Sequence, residues 1–434
     1  MSPRAAIVVT GTELLSGRVS DRNGPWLSER LAELGVDVAH ITIVGDRSGD
    51  MLDALRWCAT LDVSLIVTSG GLGPTADDLT ATVVGEFCGR PMVLDEALEQ
   101  RIGVILSAMA SRWPGRSPEV IRAANRKQAI VPAGATVLDP VGTAPGLVVP
   151  PAAGRSGPTV VVLPGPPREL QPLWQLATAQ EAFARAVEGR THYEQRMLRL
   201  YGLAESQLAE TLRAAGESGV DLERIEVTTC LRRGEIEIVT RFEPADAAVY
   251  EALLAVVREQ HADTLFSEDG SSVDDQVALM LIEQGAGLAV AESCTGGLLA
   301  GRLTERPGAS AYLRGGLVAY SDEIKERLAG VPSELLVAHG AVSAETALAL
   351  ADGARERFDA EIGVGVTGIA GPGGGSAEKP VGLVWIAASA ADDRRLVRRV
   401  QLPGGRADVR ERATTVALHL LRRLLLGESD PAAT

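Results

Sequence analysis

The chain has 434 residues, which is too long for one ordinary hydrophobic core and predicts roughly two to four compact units at about 150 residues per domain. Its formal net charge of −15 argues against a general nucleic-acid-binding surface, which needs a basic face, and its content of only 3% aromatic residues argues against a stacking platform for single strands. No run approaches the roughly 18 apolar residues of a membrane-spanning helix and the N-terminus lacks the apolar stretch of a signal peptide, so we expect a cytoplasmic protein with no membrane or direct nucleic-acid partner.

The first part of the chain, residues 1–175, alternates short Val/Ile runs with amphipathic stretches of helical length. This alternation predicts an α/β domain in which helices cover a parallel sheet. Strands are expected at residues 5–9, 36–44, 65–68, 147–149 and 159–163. Helices are expected to begin at Asn23, Ser48 and Arg168. The glycine turn at 69–74 should lead into a helix entered near residues 75–78.

The middle of the chain changes character, and residues 176–260 predict a small α+β connector domain. Its strands are expected at residues 195–201, 225–229 and 235–241, the last because polar and apolar residues alternate there with a period of two. Residues 262–272 are polar and predict a linker. The α/β alternation resumes over residues 273–426, which predicts a third unit. A break in the helical pattern at 114–118 and a disordered tail at 427–434 complete this prediction.

Ser293 stands at the junction of a predicted buried strand, residues 288–291, and a helix. The first N–H groups of a helix lack intrahelical partners, so this junction could stabilise an oxyanion. The residues that follow, Thr295, Gly296 and Gly297, would let a substrate approach the backbone closely. From the residues alone, Ser293 is more typical of a helix cap than of a nucleophile. Cys294 is a rival nucleophile, although a cysteine in such a place is more often a small buried hydrophobe.

A serine hydroxyl is a poor nucleophile at neutral pH and needs a base. A strand at 316–320, a cap at Ser321 and a short helix at 322–329 would bring Tyr320 and Lys325 to one crevice. A desolvated lysine there could accept a proton directly or through the tyrosine hydroxyl. Taken singly, such a tyrosine is more often a core residue and such a lysine a solvated one.

A third segment runs from a predicted strand at 364–368 into a glycine loop without bulky side chains. Its donors could hold a phosphate or a carboxamide. The candidate binding residues are Thr367, Gly368, Ala370 and Gly371. From composition alone, a structural turn is an equally good interpretation of this loop.

Together, the segments 291–297, 320–325 and 367–374 closely resemble the CinA C-terminal domain family, whose members include nicotinamide mononucleotide deamidases. The resemblance implies Ser293 as nucleophile, Tyr320 and Lys325 as its proton-handling partners, nicotinic acid mononucleotide and ammonia as products, and no cofactor. It also implies an arginine late in the domain. Arg406 and Arg410 are the two candidates, and spacing alone makes Arg410 slightly more typical of a solvated helix face.

The first domain is similar to the molybdopterin-binding fold of MoaB- and MogA-like proteins, in the version found at the N-terminus of CinA. The similarity rests on Asn23 and on the segments 10–17, 45–47, 68–78 and 163–170. It implies ADP-ribose pyrophosphatase activity, as in some CinA proteins, with molybdopterin binding as the competing assignment.

The residues of the first domain agree with a nucleotide site. N–H groups of a glycine loop could cradle phosphates at a helix start, and carboxylates could recruit a divalent cation of unknown identity to a pyrophosphate. The loop candidates are Gly70, Gly71, Gly73 and Thr75, and the candidate metal ligands are Glu13, Asp46, Asp77 and Asp78. From composition alone, we favour acidic residues that only stabilise a helix start and a turn.

The predicted fold class is α/β, with a MoaB/MogA-like three-layer domain, a small α+β connector and a C-terminal α/β CinA amidohydrolase domain. The resemblance further implies a homodimer that acts on nicotinamide mononucleotide and on ADP-ribose-like substrates. One alternative is a pyrophosphatase with an inert amidase domain. A second, from a different class, is a non-catalytic molybdopterin-binding-like protein or a partner in competence or the DNA-damage response.

Overall fold

The computed structural model describes residues 2–110 and 125–428. The chain divides between Tyr193 and Glu194 into two compact units, and the second unit contains the predicted connector from residue 194 onward together with the predicted C-terminal domain. The division into three domains stays a prediction. The predicted break at 114–118 and all but the first two residues of the predicted tail lie outside the described residues. Within the described residues, no helix is long and apolar enough to cross a membrane.

The first unit is built on a six-stranded sheet with the strand order β2-β1-β3-β8-β7-β6. Strands β2, β1, β3 and β8 are parallel to one another. Strand β7 is antiparallel to β8, and β6 is antiparallel to β7, so the expected parallel sheet is wrong at this edge. A separate antiparallel pair joins β4 and β5. The strands are β1 (Arg4–Thr10), β2 (Asp37–Val44), β3 (Leu65–Ser69), β4 (Met92–Leu94), β5 (Ile130–Pro132), β6 (Thr136–Leu138), β7 (Gly146–Val149) and β8 (Thr159–Leu163).

Helices cover both faces of this sheet. In β1, Ala6 and Val8 belong to one hydrophobic core, and Ala5, Ile7 and Val9 belong to another on the opposite face. A strand buried on both faces is typical of a parallel sheet between two helical layers, which confirms the three-layer fold. The helices are α1 (Thr12–Leu15), α2 (Asn23–Glu33), α3 (Ser48–Ala59), α4 (Thr80–Cys88), α5 (Glu96–Ala110), α6 (Pro167–Thr178) and α7 (Glu181–Ala186).

The helix expected near residues 75–78 begins later, at Thr80. The N–H group of Thr75 donates to Asp78 at 2.8 Å, and the Thr75 hydroxyl contacts both Asp77 and Asp78. Short acidic side chains that bond to nearby main-chain and hydroxyl groups favour a turn over a helix. The expected helix entry was therefore wrong by several residues.

The second unit begins with a four-stranded antiparallel sheet in the order β10-β11-β9-β12. Its strands are β9 (Glu194–Tyr201), β10 (Glu226–Arg232), β11 (Glu235–Phe242) and β12 (Leu265–Ser267). Two helices, α8 (Glu205–Glu217) and α9 (Ala247–His261), pack their apolar residues against it. The polar linker expected at 262–272 contains β12, because Leu265 pairs with Leu200 of β9 and joins the core of this sheet.

The C-terminal sheet has the order β14-β13-β15-β16-β17. Strand β13 is parallel to both β14 and β15, and β16 and β17 continue the sheet antiparallel. The strands are β13 (Leu288–Glu292), β14 (Leu313–Val318), β15 (Ile362–Gly368), β16 (Leu383–Ala390) and β17 (Arg395–Gln401). The helices are α10 (Val273–Glu283), α11 (Leu298–Thr304), α12 (Asp322–Ala329), α13 (Ser333–His339), α14 (Ala344–Arg357) and α15 (Arg406–Leu426).

Helix α14 packs closely on β15 because this strand carries glycines on the face that meets the helix. A Cβ atom added at Gly363 would lie 1.9 Å from the carbonyl oxygen of Ala351, and one added at Gly365 would lie 2.1 Å from that of Ala347. No side chain fits into these gaps, so the glycines set the distance between the helix and the sheet.

We expect Gly365→Ala to lower the free energy of unfolding by about 1–3 kcal/mol, since the new methyl group overlaps a helix carbonyl. Gly216→Ala is the matched control, because Gly216 lies in α8 and a Cβ atom added there would meet no atom within 4 Å. The control should be neutral or more stable by up to about 1 kcal/mol. Equal urea midpoints for the two variants would contradict the packing argument.

Candidate active site

The candidate residues of the C-terminal domain follow three neighbouring parallel strands. Glu292 at the end of β13 pairs with Val318 of β14 and with Val366 of β15. Parallel strands lie about 4.8 Å apart and place their carboxyl ends at the same edge of the sheet. The segments that begin at Ser293, Ala319 and Thr367 therefore start side by side, and we call this place the carboxyl edge.

Ser293 continues the hydrogen-bond ladder of β13, since its N–H group donates to the carbonyl oxygen of Val366 at 2.9 Å. Its side chain is largely buried, with 8% exposed. Among the described residues, its hydroxyl forms no hydrogen bond with Tyr320 or Lys325. The structure thus places the predicted nucleophile at the carboxyl edge, without a formed contact to either predicted partner.

The expected oxyanion donors at the start of α11 are not free. The carboxylate of Glu292 accepts the N–H groups of Gly297 at 3.0 Å, Leu299 at 3.0 Å and Ala300 at 2.8 Å. The expectation that these N–H groups point to a substrate was therefore wrong. Glu292 was not among the predicted site residues, although an acidic residue directly before the serine and near a helix start favours such a contact.

Cys294, the rival nucleophile, is buried and protonated. Burial is the largest cause that raises the pKa of its thiol to about 12, and the charge of Glu292 also raises it, while the main-chain N–H groups of Cys294 and Thr295 lower it. Because the thiolate is the nucleophilic form of cysteine, this thiol is unreactive near neutral pH.

Lys325 and Tyr320 are both present at the carboxyl edge, but they meet through the main chain. Lys325 is only 2% exposed, and its Nζ donates to the carbonyl oxygen of Tyr320 at 3.1 Å and lies 3.3 Å from Asp322 Oδ1. Tyr320 is 56% exposed. The predicted cap and helix are confirmed, since the Ser321 side chain accepts the N–H of Ile324 and α12 has the predicted bounds.

The two candidate arginines lie four residues apart on the first turns of α15, and both contact the carboxyl edge. Arg406 donates to the hydroxyl of Tyr320 at 2.9 Å and to the carbonyl oxygen of Gly371 at 2.8 Å. Arg410 donates to the carbonyl oxygens of Cys294 at 3.2 Å and Thr295 at 2.8 Å. The interpretation of Arg410 as a solvated residue was wrong, because its guanidinium group binds residues 293–297, which we call the serine turn.

The remaining binding candidates lie at the same edge, and their side chains are small, absent or already hydrogen-bonded within the protein. The Thr367 hydroxyl donates to the carbonyl oxygen of Ala341 at 2.6 Å, and Thr295 is buried with no partner for its hydroxyl in the described structure. Gly296, Gly297 and Gly371 have positive φ angles of 59°, 93° and 81°. Gly368 and Ala370 complete the strand end and the loop. These residues can offer a ligand mainly their backbone groups.

In the first unit, most of the predicted residues line one cavity of about 380 Å³, a volume within the range of small-ligand pockets. All four predicted carboxylates and the three predicted loop glycines line it, whereas Thr75 does not: Glu13, Asp46, Asp77, Asp78, Gly70, Gly71 and Gly73. Asn23 holds the cavity wall together, because its side-chain amide donates to Ser69 at 2.8 Å and to the carbonyl oxygen of Gly165 at 2.6 Å.

The first N–H group of α4 is not free to bind a phosphate, as was expected, because the loop before the helix accepts its hydrogen bond. Thr80, the first residue of α4, donates its N–H to the carbonyl oxygen of Gly71 and its hydroxyl to that of Gly70. Glu169 also lines this cavity, although it was not among the predicted site residues. Burial raises the pKa of the Glu169 carboxyl, a property typical of functional pockets.

The predicted metal ligands share this cavity but do not form a closed ligand cluster. Asp46 accepts hydrogen bonds from Thr10 and Thr12, and Asp77 and Asp78 contact Thr75. Across residues 2–110 and 125–428, no three His, Cys, Asp or Glu side chains are grouped to hold a metal ion. The carboxylates fit a weakly held magnesium-like ion that takes one or two protein ligands together with substrate phosphates and water.

A larger cavity of about 760 Å³ lies in the second unit and contains none of the predicted residues. Its charged walls are already paired: Arg302 binds Asp274 at 2.7 Å, and Arg199 binds Glu237 at 2.5 Å. Because these charged groups bind each other, the cavity offers a substrate fewer free groups than its volume implies. The carboxyl edge is therefore the better candidate for catalysis.

Two family models match the chain. Residues 270–425 match the model described as CinA C-terminal domain, and residues 6–182 match the probable molybdopterin binding domain. The fold and these matches define the class: an α/β protein that joins a molybdopterin-binding-type domain to a CinA C-terminal domain.

Two similar proteins match the chain over nearly its full length, and a solved structure matches part of it. A CinA-like protein of Mycolicibacterium vanbaalenii is 58% identical over 427 residues, which cover 98% of this chain and 100% of that protein. A CinA-like protein of Mycobacterium sp. (strain JLS) is 59% identical over 425 residues, covering 98% and 99%. The crystal structure of competence/damage inducible protein CihA from Agrobacterium tumefaciens is 43% identical, covers 36% of this chain and 96% of that chain, and has a TM-score of 0.34. The chain belongs to the CinA family.

Thiol alkylation tests the protonated state of Cys294. At about pH 8, where an ordinary thiol is partly ionised, we expect iodoacetamide to modify the exposed Cys230 and to leave the buried Cys294 unmodified in the folded protein. Peptide mass spectrometry measures both sites, and unfolding in urea should make Cys294 reactive. Equal alkylation of the two thiols in the folded protein would restore Cys294 as a nucleophile candidate.

Proposed function

We propose that the C-terminal domain is a nicotinamide-nucleotide amidohydrolase, which converts nicotinamide mononucleotide and water into nicotinic acid mononucleotide and ammonia. The observation that carries this proposal is the placement of Ser293, Tyr320 and Lys325 at the ends of two adjacent parallel strands. Arg406 links Tyr320 to the glycine loop that follows β15. A hydroxyl, a phenol, a buried amine and an exposed guanidinium group can supply the nucleophile, the proton transfer and the anion binding of acyl transfer from an anionic amide substrate.

In this proposal, the oxygen of Ser293 attacks the carboxamide carbon, and its proton passes to Lys325 directly or through the Tyr320 hydroxyl. The C–N bond then breaks, and the nitrogen takes the proton and leaves as ammonia. Water hydrolyses the resulting ester and restores the serine. Since the Ser293 hydroxyl forms no hydrogen bond with Tyr320 among the described residues, the route through the phenol requires that one of these two side chains moves when substrate binds.

The donors for the oxyanion differ from those expected. Because Glu292 occupies three N–H groups around the start of α11, we assign this role to N–H groups of the serine turn that Glu292 does not bind. Arg406 is exposed and is assigned to the substrate phosphate, to which a guanidinium group can donate two hydrogen bonds. Arg410, whose guanidinium group binds two loop carbonyls, is assigned to holding the turn.

Removal of the nucleophile tests this mechanism. Ser293→Ala should lower kcat for ammonia release from nicotinamide mononucleotide by at least about 1,000-fold, as expected for the loss of a nucleophile. A coupled ammonia assay measures it, and Cys294→Ala is the matched control on the next residue. The control should keep activity within about tenfold of the parent. Turnover that survives Ser293→Ala would remove this residue from the mechanism.

A second activity is favoured by the cavity of the first unit. We propose that this cavity binds an ADP-ribose-like pyrophosphate and hydrolyses it. The glycine loop offers close approach to phosphates, and the four carboxylates offer oxygen ligands to a divalent cation. When bound, that cation would neutralise pyrophosphate charge. The competing ligand for the same cavity is a molybdopterin.

The two activities can be separated by one substitution. Asp78→Asn should lower metal-dependent cleavage of ADP-ribose by at least about tenfold, because a carboxylate that faces the cavity is lost. It should leave deamidation unchanged. Asp53→Asn, on the exposed face of α3, is the matched control. Chromatographic detection of AMP measures the reaction, and full metal-dependent cleavage by Asp78→Asn would defeat the assignment of this carboxylate.

A further inference from the structure

We propose that Glu292 is a positioning residue of the deamidase, whose carboxylate holds the serine turn in its reactive conformation. The inference rests on the proposed amidohydrolase function, and it concerns a residue that the mechanism above does not use.

Glu292 ends β13 and directly precedes the nucleophile. Its own main chain is fixed, because its carbonyl oxygen accepts the N–H of Ala319 at 2.8 Å and its neighbours pair with β14 and β15. Its side chain reaches over the serine turn to the start of α11. The residue is thereby bonded to the protein on both sides of the turn, and the serine lies between these two attachments.

Both oxygens of the carboxylate accept main-chain N–H groups beyond the turn. One oxygen, Oε2, accepts the N–H groups of Gly297 and Leu299, and the other, Oε1, accepts that of Ala300. Only 1% of the residue is exposed, so water does not replace these bonds. A buried carboxylate is costly unless it is fully hydrogen-bonded, and three N–H groups at the positive end of a helix satisfy it.

The serine turn needs such a support because its backbone is unusual. Gly296 and Gly297 have positive φ angles, and glycine loses more conformational freedom on ordering than other residues. Arg410 holds the turn from the side through two carbonyls, whereas Glu292 fixes its end at Gly297. With both contacts present, the hydroxyl and the N–H groups of the turn keep one geometry towards the substrate.

Glu292→Gln tests this inference, since it retains the size of the side chain and one accepting oxygen. The new NH₂ group would face a main-chain N–H group, either at Ala300 or at the Gly297 and Leu299 pair, and two donors cannot bond to each other. We expect kcat for nicotinamide mononucleotide to fall about 100-fold, the effect of a displacement of about 1 Å in a catalytic group. KM should stay within about threefold, because the phosphate-binding Arg406 is untouched.

The matched control is Asp275→Asn. Asp275 is also a carboxylate in the first turn of a helix, where it forms a capping box with Ser272, but it caps α10 away from the carboxyl edge. It should keep kcat within about threefold of the parent although its thermal midpoint falls, because the change weakens the capping box and removes the charge that pairs with Arg306. A loss of activity that follows stability alone would give, in both variants, a fall in kcat in proportion to the fall in thermal midpoint.

The outcomes are distinct. A fall in kcat with steady KM in Glu292→Gln alone supports the inference, whereas parent-like kcat, or an equal loss in Asp275→Asn, overturns it. If the Gln variant does not fold, Glu292→Asp decides by the same criterion, because it keeps the charge and shortens the reach by one methylene group. A parent protein without deamidation would overturn the proposed function, whereas an active parent with an active Gln variant would overturn this inference only.

Discussion

The C-terminal site depends on the parallel pairing of β13 with β14 on one side and β15 on the other. This pairing brings three segments that are distant in sequence to one edge of the sheet. It is possible because β13 is small and apolar until its last residue, and because Gly363 and Gly365 let α14 lie close to the neighbouring strand. A change in strand register by one residue would turn Ser293 to the other face of the sheet.

The fold was largely predictable where local patterns and final structure agree. The bounds of β8 and α12 match the prediction, β1 is longer by one residue at each end, and β2 and β15 differ by one and two residues at their first ends only. These segments carry strong signals, namely apolar runs, an N-cap and a glycine after the helix. The antiparallel edge β7-β6 was not predicted because an apolar run does not give the direction of a strand, and the short strand β12 was missed because its partner β9 lies far away in the sequence.

The identities of the candidate site residues came from motifs, but their bonding could not. The sequence predicted free N–H groups beside Ser293, whereas in the structure those N–H groups donate to the Glu292 carboxylate. Sequence spacing made Arg410 a solvated residue, and the structure gives it two loop carbonyls. In both cases a side chain bonds to the main chain of a segment that only tertiary folding brings near. Residue spacing predicts which face a side chain occupies, but it does not predict which backbone groups are already taken.

Helix α15 explains how loops from three strands can act together. Residues four apart on a helix lie on the same face, so Arg406 and Arg410 project side by side from its first turns. Arg410 binds the serine turn after β13, while Arg406 binds Tyr320, two residues past the end of β14, and the glycine loop after β15. Because most of α15 beyond these turns is buried in the core, its position is fixed by packing. The geometry of the carboxyl edge is therefore set twice, by the register of the strands below and by one buried helix that joins their loops.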